Sequence, residues 1–206
     1  MTSERWVRLY EERDYERRSY LEGEEMTTYA TRFFEEVGVP ETMASVGCGP
    51  AVTEFELAER FPETTFACSD VSEQVIEDNR ELAAEHGLDN ITFEVAALPD
   101  LDLGRTFDVV YCVATLYFVE DVEAATRSLF DHVADGGYLV VSYPTEGLRE
   151  WASGLDDFEQ SFFEPVLDGR NLTTAAEIES WLDASVESYW SVADADVEPE
   201  TACIQK

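Results

Sequence analysis

Residues 43–51, MASVGCGPA, followed by 64–70, TTFACSD, decide the fold of this chain. Their order is that of a β-strand, a glycine turn, an amphipathic helix and a second strand that ends on a carboxylate. Gly47 and Gly49 let the backbone approach a ligand closely, and Asp70 can accept hydrogen bonds from both hydroxyls of a ribose. A Gly-x-Gly pair alone is weak evidence. With an acid about 20 residues further on, it predicts a nucleotide-binding crevice.

The charge balance of the chain is extreme. Its 206 residues include 46 acidic and 13 basic side chains, for a formal net charge of −33, and Lys206 is the only lysine. Self-repulsion of this size destabilises a compact protein in dilute buffer, and most of it is screened at about 1 M ionic strength. The dispersed acids favour a halophilic protein of a salt-rich cytoplasm. The alternative is a mesophilic acidic protein that binds cations or a basic partner.

The same composition indicates which partners and which cellular compartment to expect. Nucleic acid is not expected as a partner, because no basic stripe is present to release counterions. The four cysteines, which lack C-x-x-C spacing, are expected to be buried free thiols of a reducing cytosol. No signal peptide or membrane-spanning run is apparent, so we expect a cytoplasmic protein without a membrane partner, and no metal site.

Periodicity predicts a doubly wound α/β fold, in which a mostly parallel sheet ends in a C-terminal antiparallel hairpin and helices cover both faces. The parallel strands are expected at 42–46, 64–69, 91–95, 106–113 and 138–143. Helices are expected over 3–37 with a break near Gly23, from 51 to 61, from 72 to 86, and over 121–133, where Gly136 and Gly137 stop the last. Residues 145–172 look irregular, before a helix at 173–184 and strands at 186–193 and 201–205 around a turn at 194–200.

Over nearly its whole length the chain resembles a class I S-adenosylmethionine-dependent methyltransferase, a Rossmann-like fold with seven strands. The resemblance rests on Val46-Gly47-Cys48-Gly49-Pro50-Ala51, on Asp70-Val71-Ser72, on the fourth strand and on Asp135-Gly-Gly-Tyr-Leu-Val-Val-Ser142. It implies S-adenosylmethionine as the cofactor. It also implies a set of cofactor-binding residues, namely Ser45, Gly47, Cys48, Gly49, Asp70, Val71, Ala97, Leu98 and Thr115.

Three positions depart from the pattern of that family. Ser45 stands where an acid is usual, Ala51 replaces a common third glycine, and Ala96-Ala97-Leu98 replaces a polar contact to adenine. Ser45 can still form a hydrogen bond, Ala51 is expected to add only a methyl group, and Val71 and Leu98 leave apolar packing. These changes either weaken the binding of the cofactor or mark a protein that binds it without catalysis.

The function predicted from these features is methyl transfer to a small-molecule acceptor by in-line displacement. Such a reaction needs alignment and exclusion of water, so no catalytic residue is assigned, and His86 and His132 are expected at helix ends. Tyr117 and Trp151 are candidates for contacting the acceptor, although Tyr117 is equally compatible with packing and the aromatics near Trp151 with a core or homodimer contact. A nicotinamide-dependent dehydrogenase is a further alternative, against which Val52 counts, because it replaces the third glycine of Gly-x-Gly-x-x-Gly.

The expected organisation is one methyltransferase-like domain over 1–206. Residues 1–40 form an N-terminal helical cap, 41–143 the cofactor-binding core, 144–172 a lid or acceptor segment, and 173–206 the last helix and the hairpin.

Overall fold

A computed structural model describes residues 23–195 and 200–206 of the chain. Its strands are β1 (Thr42–Val46), β2 (Thr65–Asp70), β3 (Ile91–Val95), β4 (Phe107–Cys112), β5 (Val133–Ser142), β6 (Glu187–Ser188) and β7 (Thr201–Gln205). They form one sheet in the order β3-β2-β1-β4-β5-β7-β6, in which β1 to β5 are parallel and β7 is antiparallel to β5 and β6. The strand order reverses between β1 and β4, and such a reversal opens a crevice at the carboxyl ends of the strands.

Helices cover both faces of this sheet, as the sequence predicts. They are α1 (Gly23–Val37), α2 (Val52–Arg60), α3 (Glu73–His86), α4 (Val122–Asp131), α5 (Glu146–Ala152), α6 (Asp157–Gln160), α7 (Glu164–Leu167), α8 (Ala175–Leu182) and α9 (Tyr189–Val192), with a 3₁₀ turn at Leu116–Phe118. The predicted ends of α3 are confirmed. The Ser72 hydroxyl accepts from the Val75 N–H, and Gly87 ends the helix in the left-handed conformation.

The two faces have separate cores. Helices α1, α2, α3 and α9 pack on one face, around Phe33, Phe55 and Tyr189. Helices α4 and α8 pack on the other, around Leu129 and Ile178. Full burial of each such side chain contributes about 1.5–3 kcal/mol to stability. Packing on both faces therefore stabilises the strands whose carboxyl ends form the crevice.

The strand predicted at 186–193 is wrong beyond its first residues. Only Glu187 and Ser188 pair with β7, and α9 follows at once. Tyr189 is fully buried, with its ring 5.3 Å from that of Phe33 and 4.9 Å from that of Trp190. Aromatic residues favour strands in general, but here their packing against α1 determines the local structure. Of the turn predicted at 194–200, residues 196–199 lie outside the described part of the chain.

Two further predictions need correction around β5. The preceding helix ends at Asp131, and Gly136 and Gly137 do not stop it but lie inside the strand. The pairing of β4 with β5 shifts from Phe107↔Val133 to Val109↔Tyr138, so the glycines belong to a bulge. A Cβ on Gly137 would lie 2.6 Å from the Asp108 carbonyl oxygen, which explains the glycine there.

The segment predicted to be irregular, 145–172, instead contains α5, α6 and α7. Its capping residues are visible in the sequence in retrospect. The Thr145 hydroxyl accepts from the Leu148 N–H, and Asp156 and Glu159 form a capping box at α6. Near the amino terminus, the helix predicted over 3–37 is present as α1 from Gly23 to Val37, and residues 1–22 lie outside the described part of the chain.

Candidate functional site

The glycine turn after β1 is tied to the end of β2. The N–H groups of Gly47 and Cys48 both donate to the Ser69 carbonyl oxygen, at 2.8 and 2.9 Å. Gly47 and Gly49 have φ angles of 74° and 51°, which glycine adopts without strain. The Cys48 side chain is buried beside the turn, and burial raises the pKa of its thiol well above the ordinary value. Cys48 therefore fills space and is poorly suited to thiol chemistry.

Thr115, which follows β4, lies directly against this turn. A Cβ added to Gly47 would be 2.3 Å from the Thr115 Oγ1 atom, so only glycine fits. The Thr115 hydroxyl lies 3.3 Å from the Gly47 carbonyl oxygen and 3.2 Å from that of Val113. The structure thus brings Thr115 to the predicted cofactor turn, where it supports the backbone.

Ala51 adds more than the methyl group that the sequence suggests. Its φ of 53° and ψ of 34° are left-handed, and it precedes α2 as the N-cap residue. Ala114, in the turn between β4 and Thr115, has a φ of 55°. The left-handed conformation costs an alanine about 1–2 kcal/mol. Two strained alanines therefore lie in the two turns that meet at Gly47, and strained residues of this kind concentrate at functional sites.

Asp70 closes the turn from the end of β2. Its side chain is 7% exposed, its Oδ2 accepts from the Gly49 N–H at 3.0 Å, and its Oδ1 accepts from the Ser72 N–H at 2.9 Å. Burial raises the pKa of this carboxyl, and the backbone donors work against that rise. Each oxygen keeps a further lone pair, so Asp70 can both hold the turn and accept hydroxyl donors.

Asn79 is a positioning residue that sequence reasoning missed. It is fully buried on α3, and its side-chain amide donates to the Gly49 carbonyl oxygen at 2.8 Å. Together with Asp70 it fixes both the N–H and the carbonyl of Gly49. The available signal was a polar residue on the apolar face of a helix, next to Val75, Ile76 and Ala83.

The residues predicted to contact adenine lie where β2 and β3 end. Val71 and Leu98 are half-buried and Ala97 is exposed. The Ala96 N–H donates to the Asp70 carbonyl oxygen at 3.1 Å, which joins the two loops. The structure thus places an apolar, partly exposed wall beside Asp70.

Glu54, also missed from the sequence, lies at the other side of the glycine turn. This residue of α2 is 3% exposed, and the Ser45 hydroxyl donates to its Oε1 at 2.6 Å. Its Oε2 is buried and has no hydrogen-bond partner among residues 23–195 and 200–206. Burial raises the pKa of the Glu54 carboxyl, while the Ser45 hydrogen bond lowers it. Ser45 thus keeps a carboxylate beside the turn although it is not itself an acid.

Ser45 and Glu54 border a small pocket under α1. Its lining residues come from α1, β1, the glycine turn, α2 and β4, and they are Met26, Ser45, Val46, Gly47, Cys48, Thr53, Glu54, Tyr111 and Val113. No basic side chain is among them. Among the described residues, Glu54 is the one charged side chain that a positively charged group entering this pocket would meet.

The predicted acceptor residues differ in exposure. Tyr117, in the 3₁₀ turn, is 4% exposed and packs with Leu148 and Val166. The turn is held by Asn171, whose amide donates to the Tyr117 carbonyl oxygen at 3.1 Å. Trp151 on α5 is 58% exposed. The Phe163 ring connects the two regions, because its centroid lies 5.6 Å from that of Trp151 and 5.2 Å from that of Phe118.

Both histidines lie at the opposite edge of the sheet, as expected for helix-end residues. His86 is the last residue of α3, and His132 follows α4. The His132 ring is held on both sides, since its Nε2 accepts from the Leu103 N–H at 3.1 Å and its Nδ1 lies 2.8 Å from the Ser128 carbonyl oxygen. Neither histidine can act as a base in the crevice.

Three further observations concern the chemistry of the described residues. All four cysteines are free and buried, as predicted. Within the described part of the chain, no three His, Cys, Asp or Glu side chains are grouped so that they could hold a metal ion. None of the helices there is both long and apolar enough to cross a bilayer.

Comparison with known proteins finds similarity to methyltransferases. The methyltransferase domain family matches residues 41–185. Among curated proteins, the chain is 29% identical over 102 residues to a trans-aconitate 2-methyltransferase of Deinococcus radiodurans, covering 50% of this chain and 37% of that protein. It is 26% identical over 97 residues to a malonyl-[acyl-carrier protein] O-methyltransferase of Bacillus cereus, covering 47% and 35%. The chain thus spans little more than a third of the length of either relative.

Solved structures extend the comparison to the fold. An S-adenosylmethionine-dependent methyltransferase from Clostridium acetobutylicum superposes with a TM-score of 0.67 at 12% identity, covering 91% of this chain and 93% of that one. At this identity the likeness establishes a shared Rossmann-like fold. Because the family match extends over more than half of the chain, this protein belongs to the methyltransferase domain family.

Proposed function

We propose that this chain transfers a methyl group from S-adenosylmethionine to a small-molecule acceptor by in-line displacement. The observation that carries the proposal is the arrangement at the Gly47–Gly49 turn, where Asp70 and Glu54 place two buried carboxylates on either side of a backbone that excludes side chains. A nucleoside whose amino-acid tail carries an ammonium group fits this arrangement. One carboxylate can accept ribose hydroxyls, and the other has an oxygen that lacks a donor among residues 23–195 and 200–206.

The proposed roles of the cofactor residues follow from their positions. Asp70 accepts the ribose hydroxyls with the lone pairs that the Gly49 and Ser72 N–H groups leave free. Val71, Ala97 and Leu98 offer apolar contact to the adenine, and the Gly47–Gly49 backbone lies along the tail. When bound, S-adenosylmethionine supplies a methyl group that is already activated on a sulfonium. The protein therefore has to align the acceptor and keep water out, which needs no nucleophilic side chain.

The acceptor side is proposed to lie between the 3₁₀ turn and helices α5–α7. Tyr117 forms its buried floor and Trp151 its exposed edge, with Phe118 and Phe163 between them. Such a wall of rings can cover an acceptor and exclude water from it. In this proposal residues 144–172 serve as the lid of the domain.

A small molecule is favoured as the acceptor for two reasons. The net charge of −33 disfavours binding to nucleic acid, because phosphates would be repelled. The relatives named above include a trans-aconitate 2-methyltransferase, whose acceptor is a small acid. The four free cysteines support a reducing cytoplasm as the compartment, and the dispersed acids support an origin in a salt-rich cell.

Calorimetry in molar KCl tests the proposal. S-adenosylmethionine and S-adenosylhomocysteine should both bind and NAD should not, and a labelled methyl group should then appear in an acceptor from a pool of small acids, amines and phenols. Binding of NAD alone would overturn the proposal in favour of a dehydrogenase. Tight binding of S-adenosylhomocysteine with no methyl transfer to any pool would identify a cofactor-binding protein without catalysis.

A further inference from the structure

We propose that Glu54, oriented by Ser45, is the residue that binds the ammonium group of the amino-acid part of S-adenosylmethionine. This inference rests on the proposed function, because it assigns a role within the same site. Glu54 lies in α2, outside the sequence motifs quoted above, and the contacts of its carboxylate indicate the role.

The Glu54 carboxylate is fixed in place, but its hydrogen-bonding capacity is only partly used by the described residues. The Ser45 hydroxyl holds Oε1 at 2.6 Å, while Oε2 is buried without a donor among the described residues. A buried carboxylate oxygen that lacks a donor is costly, so native proteins rarely keep one without a reason. A ligand that brings an N–H donor would complete the site.

The charge of the pocket lining determines which ligand group the pocket can accept. In the part of the chain that the structure describes, its lining holds the Glu54 carboxylate and no basic side chain, and Tyr111 adds an ionisable group on the β4 side. Burial raises the pKa of the Tyr111 hydroxyl well above its ordinary value, so the phenol stays neutral. The described lining thus favours a cation over an anion. A sulfonium carries no N–H, whereas an ammonium group carries three donors and can satisfy Oε2 directly.

Glu54 and Asp70 lie on opposite sides of the glycine turn. Ser45 lies in β1 immediately before the Val46–Gly47 step, and Glu54 lies in the first turn of α2. Asp70 contacts the far side of the same turn through the Gly49 N–H. The two carboxylates therefore act on opposite ends of a ligand that runs along the turn, and if Asp70 holds the ribose, Glu54 is left for the amino-acid end.

The test compares two ligands that differ in the amino-acid part. S-adenosylhomocysteine carries the ammonium group, and 5′-methylthioadenosine has the same nucleoside but no amino acid. Calorimetry on the full chain in molar KCl should show that Glu54→Gln weakens S-adenosylhomocysteine binding by at least about 10-fold, about 1.4 kcal/mol. The affinity for 5′-methylthioadenosine should stay unchanged.

Glu56→Gln is the matched control, because it removes the same charge from α2 at a residue outside the pocket lining. It should leave both affinities unchanged. A second variant, Ser45→Asp/Glu54→Ser, moves the carboxylate from α2 to β1 and places the hydroxyl on α2. It should recover most of the lost S-adenosylhomocysteine affinity, since the carboxylate returns from the strand side, and it keeps the test informative if the single variant folds poorly.

Each possible result decides either the role of Glu54 or the proposed function. If Glu54→Gln weakens both ligands equally, Glu54 has only a structural role and the inference is wrong; the same holds if it weakens neither. In both cases the parent protein still binds S-adenosylhomocysteine, so the proposed function survives. If the parent binds neither ligand, the proposed function fails and the role of Glu54 fails with it.

Discussion

The two sides of the glycine turn hold their carboxylates in different ways. Asp70 is satisfied by the protein itself, since each of its oxygens accepts a backbone N–H. Glu54 is as deeply buried, but in the described part of the chain only its Oε1 has a hydrogen-bond donor. The difference indicates that Asp70 belongs to the folded framework and to the site at once, whereas Glu54 is retained for a ligand. Mutations at the two sides should therefore affect stability in opposite directions.

The largest effect is expected for Asp70→Ala. Removing the carboxylate leaves the N–H groups of Gly49 and Ser72 buried without an acceptor, which should lower the free energy of unfolding by about 2–4 kcal/mol. The affinity for S-adenosylhomocysteine should fall roughly 100-fold or more, because the ribose loses a charged acceptor. Chemical denaturation and calorimetry measure the two effects.

Asp108→Ala is the control for Asp70→Ala. Asp108 also accepts a backbone N–H, that of Thr42 at 2.8 Å, but it does so at the amino-terminal edge of the sheet. It should cost stability and leave the cofactor affinity unchanged. An Asp70→Ala protein that binds S-adenosylhomocysteine as well as the parent does would remove Asp70 from the site.

Gly47→Ala tests how rigidly the turn between the two carboxylates is built. The new Cβ would overlap Thr115 and the φ of 74° is strained for alanine, so we expect a loss of about 3 kcal/mol in the free energy of unfolding. Gly87→Ala separates the two causes, because Gly87 has a φ of 67° with no atom within 4 Å of the added Cβ. It should lose only about 1 kcal/mol. Equal losses in denaturant unfolding would show that Thr115 does not crowd the turn.

How much of the crevice can be predicted from sequence depends on how local its contacts are. The glycine turn, the end of β2 at Asp70 and the Ser72 cap follow from residues close together in the chain, and the structure confirms their placement. Glu54 and Asn79 escape prediction, because their partners Ser45 and Gly49 lie 9 and 30 residues away on other elements. The assigned contacts of the site residues to the cofactor stay predictions.

The errors in the predicted fold have a related cause. The stretch 186–193 has the residue types of a strand, but its side chains bury against α1, and a sequence pattern does not contain that packing. The strain at Ala51 was equally hidden, because alanine gives no sign of a left-handed backbone. The sequence pattern therefore predicts the elements and their order. Tertiary contacts decide where the strand at 186–193 ends and which backbone conformation Ala51 adopts.

Salt should separate the exposed acids from the buried pair. Raising KCl from 0.1 to 2 M screens the repulsion among surface carboxylates, and we expect a gain of about 2 kcal/mol, or roughly 4–8 °C in Tm. The difference in Tm between parent and Glu54→Gln should stay nearly constant across this range, because Glu54 is buried. Melting in sucrose of equal osmolality is the control for solute exclusion. A Tm that does not rise with KCl would contradict the halophilic assignment.

The smallest effect is the one that distinguishes Glu54 from Asp70 most directly. Burial raises the pKa of the Glu54 carboxyl in the folded protein, so its ionisation opposes folding as the pH rises through the ordinary carboxyl range. Glu54→Gln should then raise the Tm of the ligand-free protein slightly at pH 7, and the gain should vanish at low pH, where the parent carboxyl is protonated too. The Ser45 hydroxyl can still donate to the amide oxygen, so packing is kept. Melting curves of both proteins between pH 4 and pH 8 measure the difference. A variant less stable than the parent at pH 7 would mean that Glu54 is satisfied within the protein, as Asp70 is.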